Sequence, residues 1–241
     1  MAGPQPAETD ALGLWFNQPG EANTSRRALS RERVVAEGLT VIAADGAQAL
    51  SMRALAARLG VVPGALYRHV RNKEQLYDLI LDAVLADVGC QADPAQPWTA
   101  QVATLAHRLR SVLEDHPGVA ALLKTRDPLS PASLVLAEAF IAPLLAAGLP
   151  GRDAAAAFRL IYDYTLGFAV ADPTSPAEQR LRDDATREQL QAFLRALPAS
   201  RFPALAAHGT HAWSADRDER FRFGLDTLLR GLEAVQRPDV S

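Results

Sequence analysis

Cysteine occurs once in this 241-residue chain, at Cys90, which excludes an internal disulfide. No apolar run reaches the roughly eighteen residues that a membrane-spanning helix needs. The first residues lack the basic-then-apolar order of a secretory signal, so a cytoplasmic protein without a membrane partner is expected. Lysine is nearly missing: twenty-three of the twenty-five basic residues are arginine. With abundant alanine this marks a GC-rich genome rather than a function.

Catalytic patterns are absent as well. There is no nucleophile elbow, no phosphate-binding loop and no paired catalytic carboxylates, so an enzyme is not expected. Asp183-Asp184 and the acidic cluster at residues 216–219 read as solvated surface and helix-start charge. His208 and His211 stand close together in residues 198–214, which read as a loop. No cysteine and no third ligand lies near them, whereas structural zinc takes four donors. No metal and no cofactor are therefore expected. There are no repeats and no strand-like alternation. At 49% hydrophobic the chain has ample material for a core, and its patterning is helical throughout.

The most informative stretch runs from Leu50 to Lys73. Ser51 is a natural N-cap. Met52, Leu55, Ala56 and Leu59 follow at helical spacing. Gly60 supplies the positive φ that ends the helix. Pro63 suits the first turn of a second, short helix, in which Leu66 and Val70 face inward and leave Tyr67, Arg68 and His69 outside or at the side. Asn72 caps a longer helix over residues 73–88, with Leu76, Ile80, Val84 and Val88 on one face. Upstream, Ser30 caps a helix carrying Val34, Leu39 and Ile42, which Asp45-Gly46 ends. Helix, glycine turn, short helix is the order of a helix-turn-helix. Charge agrees. Residues 24–73 hold nine basic and three acidic side chains, a net of +6, against −9 for the rest. A basic module on an acidic body is the footprint of a nucleic-acid binder.

These residues carry a resemblance. Residues 30–88 resemble the DNA-binding domain of the TetR family of bacterial repressors, and residues 59–73 are especially similar to the tetracycline repressors. Further on, Trp98, Leu109-Arg110, His116-Pro-Gly118, Thr125-Arg126, Thr165-Leu-Gly167 and Phe223-Gly-Leu225 are similar to the ligand-binding domain of that subfamily. The resemblance covers about residues 30–236. It implies DNA contact by Ser51, Arg53, Pro63, Gly64, Ala65, Tyr67, Arg68, His69 and Lys73. Arg53 matches a base-reading arginine, a residue suited to bidentate contact with guanine, and Lys73 sits at a helix N-terminus where phosphate binds. Residues 62–65 depart from the tetracycline repressors in having no polar side chain. Readout is then expected from Arg53, Tyr67 and Arg68, helped by DNA shape.

The expected architecture is all-α. Residues 1–29 form a flexible extension, although Leu12, Leu14, Trp15 and Phe16 are unusual for a solvated tail and Arg26-Arg27 are placed to act as a DNA arm. Residues 30–90 form a three-helix DNA-binding domain and residues 97–236 a helical ligand-binding and dimerisation domain. The helix at residues 152–171 is so apolar that burial on most sides is expected. Residues 177–197 read as a charged helix. In the last helix, Phe221, Leu225, Leu228, Leu232 and Val235 form one stripe. Gly224 and Gly231 sit beside it, and two mid-helix glycines suggest close helix approach. The resemblance places Gly167, Phe221, Gly224, Leu228 and Gly231 at a homodimer interface, with packing inside one chain as the alternative. A dimer also follows from function, since two copies about 34–36 Å apart read a palindrome.

The resemblance implies a pocket for a small, mostly hydrophobic molecule, with Leu105, Leu109, Leu122, Arg126, Phe140, Tyr162 and Phe168 as candidates and plain core as the alternative. Tyr164 and His107 are further polar candidates. Leu122 stands where the tetracycline repressors have a magnesium-linked histidine, which argues against a magnesium–tetracycline inducer. The expectation is a repressor that leaves operator DNA when that molecule binds. An activator or a ligand-independent regulator is the alternative. A helical enzyme with an accessory DNA module is disfavoured by the missing acid–base set.

Overall fold

The computed structural model describes residues 29–91, 93–126, 129–170, 183–214 and 216–236. Expectations for residues 1–28, including the apolar cluster at 12–16 and Arg26-Arg27, and for residues 177–182 lie outside the described residues. What is described is helical, with no strand.

The first helix, α1 (Arg31–Asp45), is capped by Ser30, whose hydroxyl accepts from the Arg33 N–H at 3.2 Å. A 3₁₀ turn at Ala47–Ala49 leads into α2 (Met52–Leu59), α3 (Pro63–Leu66) and α4 (Lys73–Ala86). Then follow α5 (Trp98–Asp115), α6 (Pro117–Leu123), α7 (Pro131–Ala146) and α8 (Gly151–Val170). The chain closes with α9 (Asp184–Arg195), α10 (Pro203–Ser214) and α11 (Arg217–Gln236). None of the described helices is long and apolar enough to cross a membrane.

One core runs through the molecule. Val34, Leu55 and Leu66 at the N-terminal end connect through Ile80 and Leu81 of α4 to Leu105, Leu109, Phe140 and Ile161. The helix α4 is therefore shared, with one side in the helix-turn-helix and the other against the body. A rigid shared element is what lets an event in one half reach the other.

Three expectations change. Residues 203–214 are helical, not a loop. Ala204, Leu205, Ala206 and Ala207 are strong helix formers, and Gly209 lets the helix lie close to Leu194 of α9, 3.4 Å from where a side chain would begin. His208 and His211 are thus exposed on a helix. Second, α8 is buried on one face only. Ala154, Ala157, Ile161 and Thr165 are inside, while Ala155, Ala156, Leu160 and Gly167 are exposed. Third, the inner stripe of α11 is Phe221, Leu225 and Leu229. Leu228 and Leu232 are half-buried, and Val235 is exposed.

Candidate nucleic-acid interface and ligand cavity

The helix-turn-helix is built by capping and punctuation. The Ser51 hydroxyl accepts from the Ala54 N–H at 3.1 Å, so that side chain is engaged in starting α2. Gly60 closes the helix in the left-handed region, φ 69°, with its N–H on the carbonyls of Ala56 and Ala57. Pro63 opens α3, which is only four residues long. The turn after it is held by the N–H groups of His69 and Val70, both donating to the Leu66 carbonyl at 2.9 and 3.0 Å. Asn72 then starts α4 by accepting from Gln75 at 2.8 Å, and the Gln75 amide oxygen accepts from the Arg71 N–H at 2.6 Å.

Leu55, Ala56, Leu59, Leu66 and Val70 bury inward. That leaves Arg53, Pro63, Gly64, Tyr67 and Arg68 exposed, with Ala65, His69 and Lys73 half-buried beside them. A Cβ at Gly64 would meet nothing within 4 Å, so the protomer's own packing does not require glycine there. The Lys73 ammonium, on the first residue of α4, lies 5.2 Å from the Tyr77 ring centroid one turn on. Two further arginines have structural work. Arg58 pairs with Glu37 at 2.5 Å, tying α2 to α1, and Arg31 donates to the His69 carbonyl at 3.3 Å.

A wide-open cavity of about 900 Å³ lies where the 90–98 connection and α5 meet α7, and its lining Leu134 and Val135 are exposed. Trp98, Leu134, Val135, Ala139, Ala142 and Pro143 supply apolar wall, and Cys90, Gln101 and Glu138 are its polar members. Burial pushes the Cys90 thiol above its ordinary range, with the charge of Arg108 opposing weakly. None of the seven residues expected to hold a ligand lines this cavity. Leu105, Leu109 and Phe140 are wholly buried core. Leu122 and Tyr162 are nearly so. Phe168 packs on Tyr164 and Phe221. Arg126 turns toward the DNA-reading half, 3.9 Å from Asp78 and 5.2 Å over the Tyr77 ring. The wall was missed because alanines, prolines and a lone cysteine carry no chemical signature in sequence.

Besides Arg126, two further contacts join the halves. Asp82 of α4 accepts from the Ala132 N–H in the first turn of α7 at 2.8 Å. Gly118 of α6 lies on Ile42 of α1 so closely that a Cβ would come within 2.6 Å of its side chain and 2.8 Å of its carbonyl. Within the DNA-reading half, the Tyr77 hydroxyl donates to the Ala47 carbonyl at 2.6 Å.

At the far end, Phe221 and Gly224 belong to the interior of the protomer, not to an outer face. Phe221 is fully buried against Tyr164, Phe168 and His107. Gly224 leaves room for the Tyr164 ring, whose hydroxyl donates to the carbonyls of Arg220 and Phe221 at 3.1 and 3.0 Å. Close helix approach is thus real, but inside the chain. Gly167 and Gly231 face open space, and Phe223 is 76% exposed. An ion network centred on the buried Arg110 supports this end. Arg110 pairs with Glu114 at 2.8 Å and with Asp218 at 2.5 Å, and its guanidinium lies 4.6 Å from the Phe221 ring centroid.

Comparison with known proteins fits both halves. Residues 34–80 match the family described as bacterial regulatory proteins, tetR family. Residues 91–236 match the tetracyclin repressor-like C-terminal domain. An HTH-type transcriptional regulator of Saccharopolyspora erythraea is 34% identical over 92% of each chain. The HTH-type transcriptional repressor DrrR1 of Streptomyces coeruleorubidus is 29% identical over 92% of this chain and 84% of its own. Among solved structures, ActR of Streptomyces coelicolor in complex with actinorhodin aligns with a TM-score of 0.76 at 31% identity, covering 88% of this chain and all of that one. The chain belongs to the TetR family and is a DNA-binding, ligand-responsive transcriptional regulator.

Proposed function

We propose that this regulator is a homodimeric repressor. It holds a palindromic operator and leaves it when a small, mostly hydrophobic molecule enters the cavity beside α7. The observation that carries the reading is the cavity itself. Its wall is α7, and α7 is tied at its first turn to α4, the helix that begins beside the DNA-facing residues. Occupancy that moves α7 would move α4, and with it the spacing of the two copies of α3. The relatives add support, since ActR has been solved with (S)-DNPA and with actinorhodin and DrrR1 is named a repressor.

In this reading Arg53, Tyr67 and Arg68 read base edges, while Lys73 and the α4 N-terminus hold phosphate. Gly64 and Ala65 let the backbone approach the groove. The outer faces of α8 and α11, with Leu160, Gly167, Phe223 and Gly231, form the dimer seam. Leu228 lies at its margin.

Selection from a pool of randomised duplexes tests this. The full-length protein is expected to enrich an inverted repeat with half-sites centred about 34–36 Å apart. Arg53→Ala should relax preference at defined positions and cost about 1–3 kcal/mol per contacted base. Lys73→Ala should weaken all sequences alike and make binding less salt-dependent. Enrichment of no inverted repeat would overturn the proposal.

A further inference from the structure

The charge of the cavity says more than its volume. Of the thirteen described residues that line it, only Cys90 and Glu138 are ionisable. Burial keeps the Cys90 thiol protonated, so it brings no charge at neutral pH. Arg108 is near the same connection, but its guanidinium donates to the carbonyls of Gly89 and Gln91 at 2.7 and 3.3 Å and is not part of the lining. The Gln101 amide likewise donates to the Gln96 carbonyl at 2.8 Å. Arg108 keeps its charge behind the Cys90 end, so among the described residues an occupant meets an apolar wall with one indole, a neutral thiol, the Gln101 amide and, as the one charged lining group, the Glu138 carboxylate.

That combination is selective. A ligand carboxylate placed at Glu138 would meet its carboxylate with no cation among the described lining residues to offset the repulsion. A neutral molecule would gain from the apolar wall but leave the carboxylate to water. A positive charge beside an aromatic body is attracted by Glu138 and by the face of Trp98, the side chain that binds cations best among aromatics. Resting on the proposed effector role of this cavity, we infer that its ligand class is an amphiphilic organic cation, a flat apolar body carrying one protonated amine. The body spreads over Leu134, Val135 and Ala142, and the amine is placed at Glu138.

Three fluorescent tricyclic probes of similar size test this on the full-length protein without DNA. They are 9-aminoacridine (cationic at neutral pH), 9-anthracenemethanol (neutral) and 9-anthracenecarboxylate (anionic). The wild type is expected to bind the cation roughly tenfold more tightly than the neutral probe, with the anion weakest, and added salt should narrow the gap. Glu138→Gln, at an exposed helical position, should bring cation and neutral probe within about twofold. Ala142→Trp, which puts an indole into the middle of the apolar wall, should weaken all three.

The outcomes separate the two levels. If Ala142→Trp abolishes binding but the anion binds the wild type as well as the cation does, the ligand class is wrong and the cavity stands. The same holds if Glu138→Gln leaves the ranking unchanged. If Ala142→Trp leaves every probe bound as before, or the wild type binds none of them, the cavity reading falls and the class with it.

Discussion

The carboxylate of Asp82, near the C-terminal end of α4, accepts a hydrogen bond from the Ala132 N–H, 2.8 Å away at the start of α7. Ser130 already caps that helix, accepting from Ser133 at 3.3 Å. Asp82 is thus a second, charged acceptor, reaching from the DNA-reading half to a helix N-terminus that favours negative charge. A hydrogen bond to a charged group contributes about 1.5–3 kcal/mol. Half-exposure of Asp82 puts the expectation at the low end. Asp82→Ala should lower the free energy of unfolding in urea by about 1–2 kcal/mol, and Asp82→Asn by less, because the amide oxygen still accepts. If Asp82→Ala costs under about 0.3 kcal/mol, the bond does not couple the halves.

Gly118 and Gly64 should respond oppositely to the same change. Gly118→Ala drives a methyl group into Ile42 and its carbonyl, and backbone cannot give way as a flexible side chain can. Overpacking of that kind costs about 1–3 kcal/mol. Gly64→Ala meets no atom of the described residues within 4 Å, and inside a helix it gains up to about 1 kcal/mol of propensity. The expected result is a Gly118→Ala protein with a lower Tm. Gly64→Ala should melt at or above the wild type yet bind operator DNA less tightly, because the added methyl occupies the approach to the groove. A Gly64→Ala protein with wild-type operator affinity would remove Gly64 from the interface.

Phe221 and Phe223 stand two residues apart and point to opposite fates. Phe221 is fully buried in its own protomer, and Phe223 is 76% exposed. Phe221→Ala should cost about 3–5 kcal/mol of folding stability through the cavity it leaves. Phe223→Glu should leave the protomer's core intact and put two carboxylates into the proposed seam. Sedimentation at micromolar concentration is expected to show a dimer for the wild type and a shift toward monomer for Phe223→Glu. An unchanged dimer would place the seam elsewhere.

The contrast of these two phenylalanines also shows what was legible in the sequence. Caps and breakers act locally, so Ser30, Ser51, Gly60, Pro63 and Asn72 placed the helix-turn-helix elements closely, and the inward set of Leu55, Leu59, Leu66 and Val70 followed from spacing. Which face of a long helix turns inward is decided by its neighbours. A stripe drawn through Phe221, Leu228 and Val235 drifts around α11, and the helix turns Leu229 inward instead. Residues 203–214 carry Gly209 and two histidines, which read as irregular, yet contact with α9 makes them helical. The cavity was least legible. Large apolar residues such as Leu105 and Phe140 fill space, and space is left where side chains are small, as at Ala139, Ala142 and Ala146.

His107 links this packing to pH. Its ring meets Phe221 edge-on with centroids 5.2 Å apart. Partial burial there, followed by the charges of Arg110 and Arg222, holds its pKa below the ordinary 6.5, with Asp226 and Asp218 pulling the other way. The folded chain then takes this proton less readily than the unfolded chain. The associated stability is complete above the ordinary histidine range and is lost as the pH falls through that range toward the depressed folded value. Urea midpoints measured from about pH 7.5 down to about pH 5.5, above most carboxylate titration, should therefore decline in the wild type. His107→Gln removes the titrating group, and its midpoints should decline less over the same interval. Parallel curves for the two proteins would show that His107 is protonated equally well folded and unfolded, and that the cationic neighbours around Phe221 do not oppose its charge.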